Sequence, residues 1–283
     1  ALVALGVSAA SADISISGAG KWTYTNNSKS TDNSSVSGDS FGHTSDLTIA
    51  SSFASDNGLT YGTSHTIDES SNKDGQKLYV KGSFGEVRFG GDSAGDAYKT
   101  NPDVADGESA VHGATDFHGA STTGASGATA ISYFTPSVNG FAAGVTYGDA
   151  GAGDTQNADV TEVGASYTQT VGDATVTLKY ATTDVSASNP GETDGSERTS
   201  MGIAITLGDL TVTAASNTAK ADDISTSGDE SGTGFGISYV LSEGLTLKAH
   251  TMSADDEATT ADDETSETAA SLTYVVAPGL TAN

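Results

Sequence analysis

The stretch Ile14-Ser15-Ile16-Ser17-Gly18-Ala19-Gly20-Lys21-Trp22-Thr23-Tyr24 puts apolar, aromatic or glycine residues at even positions and polar or small ones at odd positions. A period of two belongs to an extended strand with one greasy and one wet face. The alternation recurs in Leu47-Thr48-Ile49, Leu78-Tyr79-Val80, Val87-Arg88-Phe89 and Val176-Thr177-Leu178-Lys179-Tyr180. It continues in Ile203 to Leu207, Phe235 to Tyr239, Leu245-Thr246-Leu247 and Leu272-Thr273-Tyr274. This order argues against disorder, the reading that composition alone would favour. The 283 residues carry 37 acidic and 11 basic side chains, a formal charge of −26.

That charge would repel nucleic acid, which is not an expected partner. With no cysteine, disulfides, thiolate metal sites and cysteine nucleophiles are excluded. No apolar run reaches the roughly 18 residues of a membrane-spanning helix. Residues 1–12 are uncharged and end in Ala10-Ser11-Ala12, an A-x-A site of the kind a signal peptidase cuts. They are expected to be the C-terminal part of a secretory signal, with the mature domain at 13–283. An ordinary buried N-terminal segment is the other reading.

Connections alternate between short and long. The short ones carry hairpin chemistry: Asp56-Asn57-Gly58, Phe84-Gly85, Ser137 to Gly140, Gly172-Asp173, Gly208-Asp209, Ser242 to Gly244 and Ala277 to Gly279. Polar stretches near 25–41, 66–75, 92–127, 148–160, 184–198, 216–230 and 255–265 separate them. A sheet with brief turns at one end and extended loops at the other is an up-and-down antiparallel meander, the layout of an all-β transmembrane barrel. Fifteen strands are expected, at 13–24, 42–55, 59–65, 76–83, 86–91, 128–136, 141–147, 161–171, 174–183, 199–207, 210–215, 231–241, 245–254, 266–276 and from Leu280. An even number closes such barrels, so sixteen are expected in the complete protein.

Lys21, Lys77, Lys81, Arg88, Lys179 and Lys248 all fall on the wet parity of their strands. On a lipid face near the midplane each would cost about 2–4 kcal/mol. The wet parity is otherwise Thr, Ser, Ala and Gly, too small to fill a core, so it is expected to border a water-filled lumen. Trp22, Tyr24, Phe53, Tyr61, Tyr133, Phe141, Tyr147, Tyr167, Tyr180, Tyr239 and Tyr274 fall on the greasy parity, often near strand ends. These are the positions of interfacial aromatic girdles, although β-propensity also enriches tyrosine in sheets. Among inward aromatics only Tyr79 stands out.

The longest connection, 92–127, holds Asp92, Asp96, Asp103, Asp106, Glu108 and Asp116 against the single base Lys99. Three features together are similar to the Gram-negative general porins, in particular the alphaproteobacterial kind. They are the signal end before Asp13-Ile14-Ser15-Ile16-Ser17-Gly18, the segment Phe84-Gly85-Glu86-Val87-Arg88-Phe89-Gly90-Gly91 leading into the long loop, and the alternating connections. The resemblance implies an outer-membrane homotrimer of sixteen-stranded barrels, in contact with lipid and lipopolysaccharide, with the third loop folded inward. It further implies a basic wall at Lys77, Lys81 and Arg88, joined by Lys21, facing those loop acids. Lys179 and Lys248 would be further lumen bases. With two arginines in all, the chain lacks the denser arginine cluster of many relatives.

Passive diffusion of small hydrophilic solutes and ions then needs no catalytic residue. Nothing usable is found for H-E-x-x-H, G-x-S-x-G, G-x-x-x-x-G-K or G-x-G-x-x-G placed between strand and helix, so no enzyme activity is expected. The net charge predicts a weak cation preference, opposed by bases at the narrowest point. No cofactor is expected. Acidic tracts such as Asp255-Asp256-Glu257 and Asp262-Asp263-Glu264 are hard-oxygen donors for Ca²⁺, but solvated loop faces are the preferred reading. His43, His65, His112, His118 and His250 show no metal-ligand spacing. Two alternatives stay open: a solute-selective channel of the same fold, and a secreted acidic β-rich adhesin.

Overall fold

The computed structural model describes residues 13–31, 34–68, 73–90, 93–100, 130–148, 158–187, 196–221, 230–256, 263–277 and 280–282. It divides into two units, 1–80 and 81–283. The first carries β1 (Asp13–Thr31), β2 (Ser34–Ala54), β3 (Thr60–Ile67) and most of β4 (Lys73–Gly82). The second carries β5 (Gly85–Gly90), α1 (Ala94–Tyr98), β6 (Ala130–Phe134), β7 (Phe141–Gly148), β8 (Ala158–Val171) and β9 (Ala174–Ala187). There follow β10 (Ser196–Leu207), β11 (Leu210–Ala221), β12 (Glu230–Ser242), β13 (Leu245–Asp256), β14 (Asp263–Ala277) and β15 (Leu280–Ala282). Within each unit the strands pair with their chain neighbours in sequence order.

Among the described residues there are fifteen strands, where fifteen were expected, but several run further into the polar stretches. β1 and β2 pair continuously from Asp13↔Ser52 to Thr31↔Ser34, where a loop was expected at 25–41. The ladders of β9 with β10, β10 with β11 and β13 with β14 extend in the same way, the last as far as Asp256↔Asp263. Backbone pairing needs no greasy face, so polar strand ends keep their hydrogen bonds after the apolar alternation that marks them in the sequence has stopped. Residues 1–12 lie outside the described residues.

The short turns behave as their chemistry demands. Gly58, Gly85, Gly140, Gly172, Gly208 and Gly244 all have positive φ, and Asn139 joins Gly140 at φ 51°. At Gly140 a side chain is excluded twice over: φ is 83°, and a Cβ would stand 2.0 Å from the carbonyl oxygen of Thr168. Thr168 N–H donates to the Gly140 carbonyl at 2.9 Å, tying this turn to β8.

Burial along the strands is inverted relative to a soluble protein. In β6, Ala130, Ser132 and Phe134 are buried while Ile131 and Tyr133 are exposed. In β7, Phe141, Val145 and Tyr147 are exposed while Thr146 is buried. Large apolar side chains stay exposed along β8 to β14, among them Val163, Leu178, Met201, Val212, Ile237, Leu247 and Leu272. Among the described residues the largest completely buried side chains are instead Glu162, Thr146, Thr183, Ser93 and Ser200. The greasy parity therefore faces outward, as the alternation predicted.

Candidate functional site

The polar face of β7 to β10 is a seat for the first turn of the long third loop. Register sets its layout. Gly144, Gly164, Ala181 and Ser200 stand side by side across the four strands. One row to one side stand Thr146, Glu162, Thr183 and Arg198, and one row to the other Ala142, Ser166, Lys179 and Gly202. Small residues along the middle row let α1 approach the sheet closely. A Cβ on Gly164 would lie 2.6 Å from the Tyr98 ring and 2.7 Å from the Ala94 carbonyl oxygen, and one on Gly202 would lie 2.4 Å from Thr100 Cβ.

Polar side chains of the wall hold the loop by its backbone. Thr146 Oγ1 accepts from Ala94 N–H at 2.7 Å and shares a hydrogen bond with Ser132 Oγ at 2.8 Å. Glu162 Oε2 accepts from Gly95 N–H at 3.0 Å. Lys179 Nζ donates to the Ala97 carbonyl at 3.3 Å, and Ser200 Oγ accepts from Thr100 N–H at 3.3 Å. Ala94, Tyr98, Phe134 and Ala181 close the contact with a small apolar cluster. Tyr98 and Phe134 lie with ring centroids 6.2 Å apart, both 8% exposed. Burial raises the Tyr98 phenol above its ordinary pKa, with the nearby Arg88 charge pulling the other way.

The expected basic residues lie on β1, β4, β5, β9 and β13. Arg88 forms an ion pair through Nε with Glu86 Oε1, and its guanidinium lies 4.2 Å from the Phe134 ring centre. Lys77 Nζ stands 5.4 Å from the centre of the Tyr79 ring. Lys81 is exposed and Lys248 half-buried. Lys21 is on β1, opposite Thr44. Of the loop acids Asp96 lies on α1, while Asp92, Asp103, Asp106, Glu108 and Asp116 lie outside the described residues. Asp255 and Asp256 stand opposite Glu264 and Asp263 on β13 and β14; Glu257 and Asp262 lie outside the described residues. Among the described residues no group of three or more His, Cys, Asp or Glu is placed to hold a metal ion.

Sequence reasoning missed the seat. Tyr79 is not alone among inward aromatics, since Phe134 also points to the wet side and packs on Tyr98. Glu162, Thr146 and Ser200 were not singled out. A signal was present: Gly144, Gly164 and Gly202 interrupt the wet parity of β7, β8 and β10, as closely approached backbone requires. The greasy-parity aromatics Tyr133, Phe141, Tyr147, Tyr167, Tyr180, Tyr239 and Tyr274 are all exposed.

The family model described as Gram-negative porin matches residues 1–283. Among solved structures, the chain is similar to OmpT, an outer membrane protein of Vibrio cholerae, at 17% identity and a TM-score of 0.71, covering 94% of this chain and 83% of that one. A triple mutant of the Rh. blastica porin matches at 17% identity and a TM-score of 0.66, with coverage of 95% and 92%. The trimer form of the Vibrio OmpT matches at 15% identity and a TM-score of 0.51, with coverage of 94% and 97%. No curated protein sequence matches significantly.

Proposed function

Since the chain belongs to the Gram-negative porin family, antiparallel β-barrel channels of the outer membrane, we propose that it passes small hydrophilic solutes and ions passively, with a weak preference for cations. The inverted burial carries this reading: the side chains that a soluble sheet would hide are on the outside, and the largest completely hidden ones are polar. Hydrocarbon suits the first face, and a hydrated lumen with an inserted loop suits the second.

The cation preference rests on the charge of −26, which raises the local concentration of counter-ions. Lys21, Lys77, Lys81 and Arg88 would oppose it from the wall, with Lys179 and Lys248 as further lumen bases. Asp92, Asp96, Asp103, Asp106, Glu108 and Asp116 would supply the opposing charge on the loop. Arg88 brings less net field than its charge suggests, because Glu86 neutralises it locally.

A homotrimer is the proposed assembly, set in lipid and lipopolysaccharide. The outer face of β1 to β3 supports it. On one parity it carries Ile14, Ile16, Leu47, Ile49 and Ile67 with Trp22, Tyr24, Phe41, Phe53 and Tyr61, interspersed with Gly18, Gly20, His43, Ser45, Ser51, Thr63 and His65, and these small and polar positions would suit a protein neighbour. The purified protein should run as a heat-modifiable oligomer on unboiled gels.

The decisive measurement is conductance across a planar bilayer with a salt gradient. Discrete ohmic steps and a reversal potential of cation sign are expected. Absence of steps would refute the channel, and chloride selectivity would refute the cation preference alone.

A further inference from the structure

Glu162 and Lys179 grip the loop turn from opposite electrostatic ends. Within one turn the peptide N–H groups point one way and the carbonyls the other, so a carboxylate suits the first and an ammonium the second. Here the Glu162 carboxylate takes the Gly95 N–H, and the Lys179 ammonium takes the Ala97 carbonyl. The carboxylate lies flat against the turn, because a Cβ on Gly95 would be 3.0 Å from Glu162 Cδ and 3.1 Å from each oxygen. Glu162 is completely buried beneath the loop. Its place in a wall row between Thr146 and Thr183 is fixed by register.

We propose that Glu162 and Lys179 are positioning residues that fix where the constriction loop leaves the wall, and that Lys179 is thereby withdrawn from ion selection. This rests on the channel reading above. Both contacts go to loop backbone, so they place the loop without using any of its side chains. Ion choice then falls to the other lumen charges, of which Lys81 is the one tested.

The test is single-channel recording from the full-length protein with Glu162→Ala, Glu162→Gln, Lys179→Met and Lys81→Met. Wild-type conductance tests the channel itself; the variants, compared with it, test the grip. Glu162→Ala should replace one dominant level by several sublevels and cut occupancy of that level by roughly tenfold, in keeping with loss of a charge-assisted hydrogen bond. Glu162→Gln keeps an acceptor oxygen and should restore most of it. Lys179→Met should add sublevels but leave the reversal potential unmoved, whereas Lys81→Met should shift the reversal potential and leave the levels alone. Unaltered levels in Glu162→Ala, or a reversal shift in Lys179→Met as large as in Lys81→Met, would overturn the proposal.

Should Glu162→Ala fail to assemble, Glu162→Asp serves in its place: it keeps the carboxylate but shortens its reach toward the Gly95 N–H, and should add sublevels without moving the reversal potential. Unaltered levels in Glu162→Asp would count against the proposal.

Discussion

The two faces of β7 to β10 share one backbone and differ by a single step along each strand. On the outer side stand Tyr147, Val145, Val163, Leu178 and Met201, all exposed. On the inner side stand Thr146, Gly164, Glu162, Ala181 and Ser200, covered by a turn of the chain's own loop. Apolar area left in water would cost on the order of 25 cal/mol per Å², so the outer face requires a non-aqueous neighbour. The inner face requires the reverse, because a buried polar group is tolerated only when hydrogen-bonded. The loop meets part of that need, its N–H groups donating to Thr146, Glu162 and Ser200 and its Ala97 carbonyl accepting from Lys179. One alternation thus specifies two solvents.

The sharpest way to break this contrast is to place one charge on either side of the same strand. Leu178 and Thr177 are neighbours on β9 with opposite orientation. Leu178→Lys should destabilise the folded barrel by about 2–4 kcal/mol, as a charge in hydrocarbon does, whereas Thr177→Lys should stay within about 0.5 kcal/mol, as for a solvent-facing substitution. Urea titration followed by the gel shift of the folded form measures both. Equal effects would mean that both faces meet the same medium.

A smaller effect is expected at the seat itself. Gly164→Ala drives a methyl into the Tyr98 ring and the Ala94 carbonyl. Overpacking of this kind costs about 1–3 kcal/mol, and here it should fall on loop docking rather than on the β7–β8–β9 ladder. Barrel stability should therefore hold while the conductance level becomes heterogeneous. A loss of barrel stability with a homogeneous level would show that the glycine serves the sheet instead.

These contrasts also explain what the sequence could disclose. Alternation such as Val176-Thr177-Leu178-Lys179-Tyr180 reports the solvent on each side, and the turn glycines report where strands reverse; both signals are local. Hence the strand count and the outward face were legible. The seat was not, because Thr146, Glu162, Ser200 and the α1 backbone come together only once four strands are in register. Lys179 illustrates the loss: its parity marks it as inward, but nothing nearby in sequence shows that its ammonium meets Ala97. Strand ends were missed for a different reason, since polar ladders such as Ser196↔Val185 and Thr218↔Thr199 lack the one-sided pattern that reveals them.

The finest probe of the inner face is alkaline. Tyr98 is buried between α1 and the wall, and burial holds its phenol above the ordinary value, outweighing the pull of Arg88. A group whose docked pKa is raised binds its proton more tightly when docked. Its contribution to docking is therefore fully present below about pH 10, the ordinary phenol value, and is lost as pH climbs through the raised one. Conductance recorded between about pH 8 and pH 11 should show sublevels appearing only at the alkaline end. Tyr98→Phe keeps the ring against Phe134 and removes the proton, so its onset should move upward or vanish. If wild type and Tyr98→Phe loosen together, lysine deprotonation is responsible, and the grip of Lys179 on Ala97 becomes the alkali-sensitive contact.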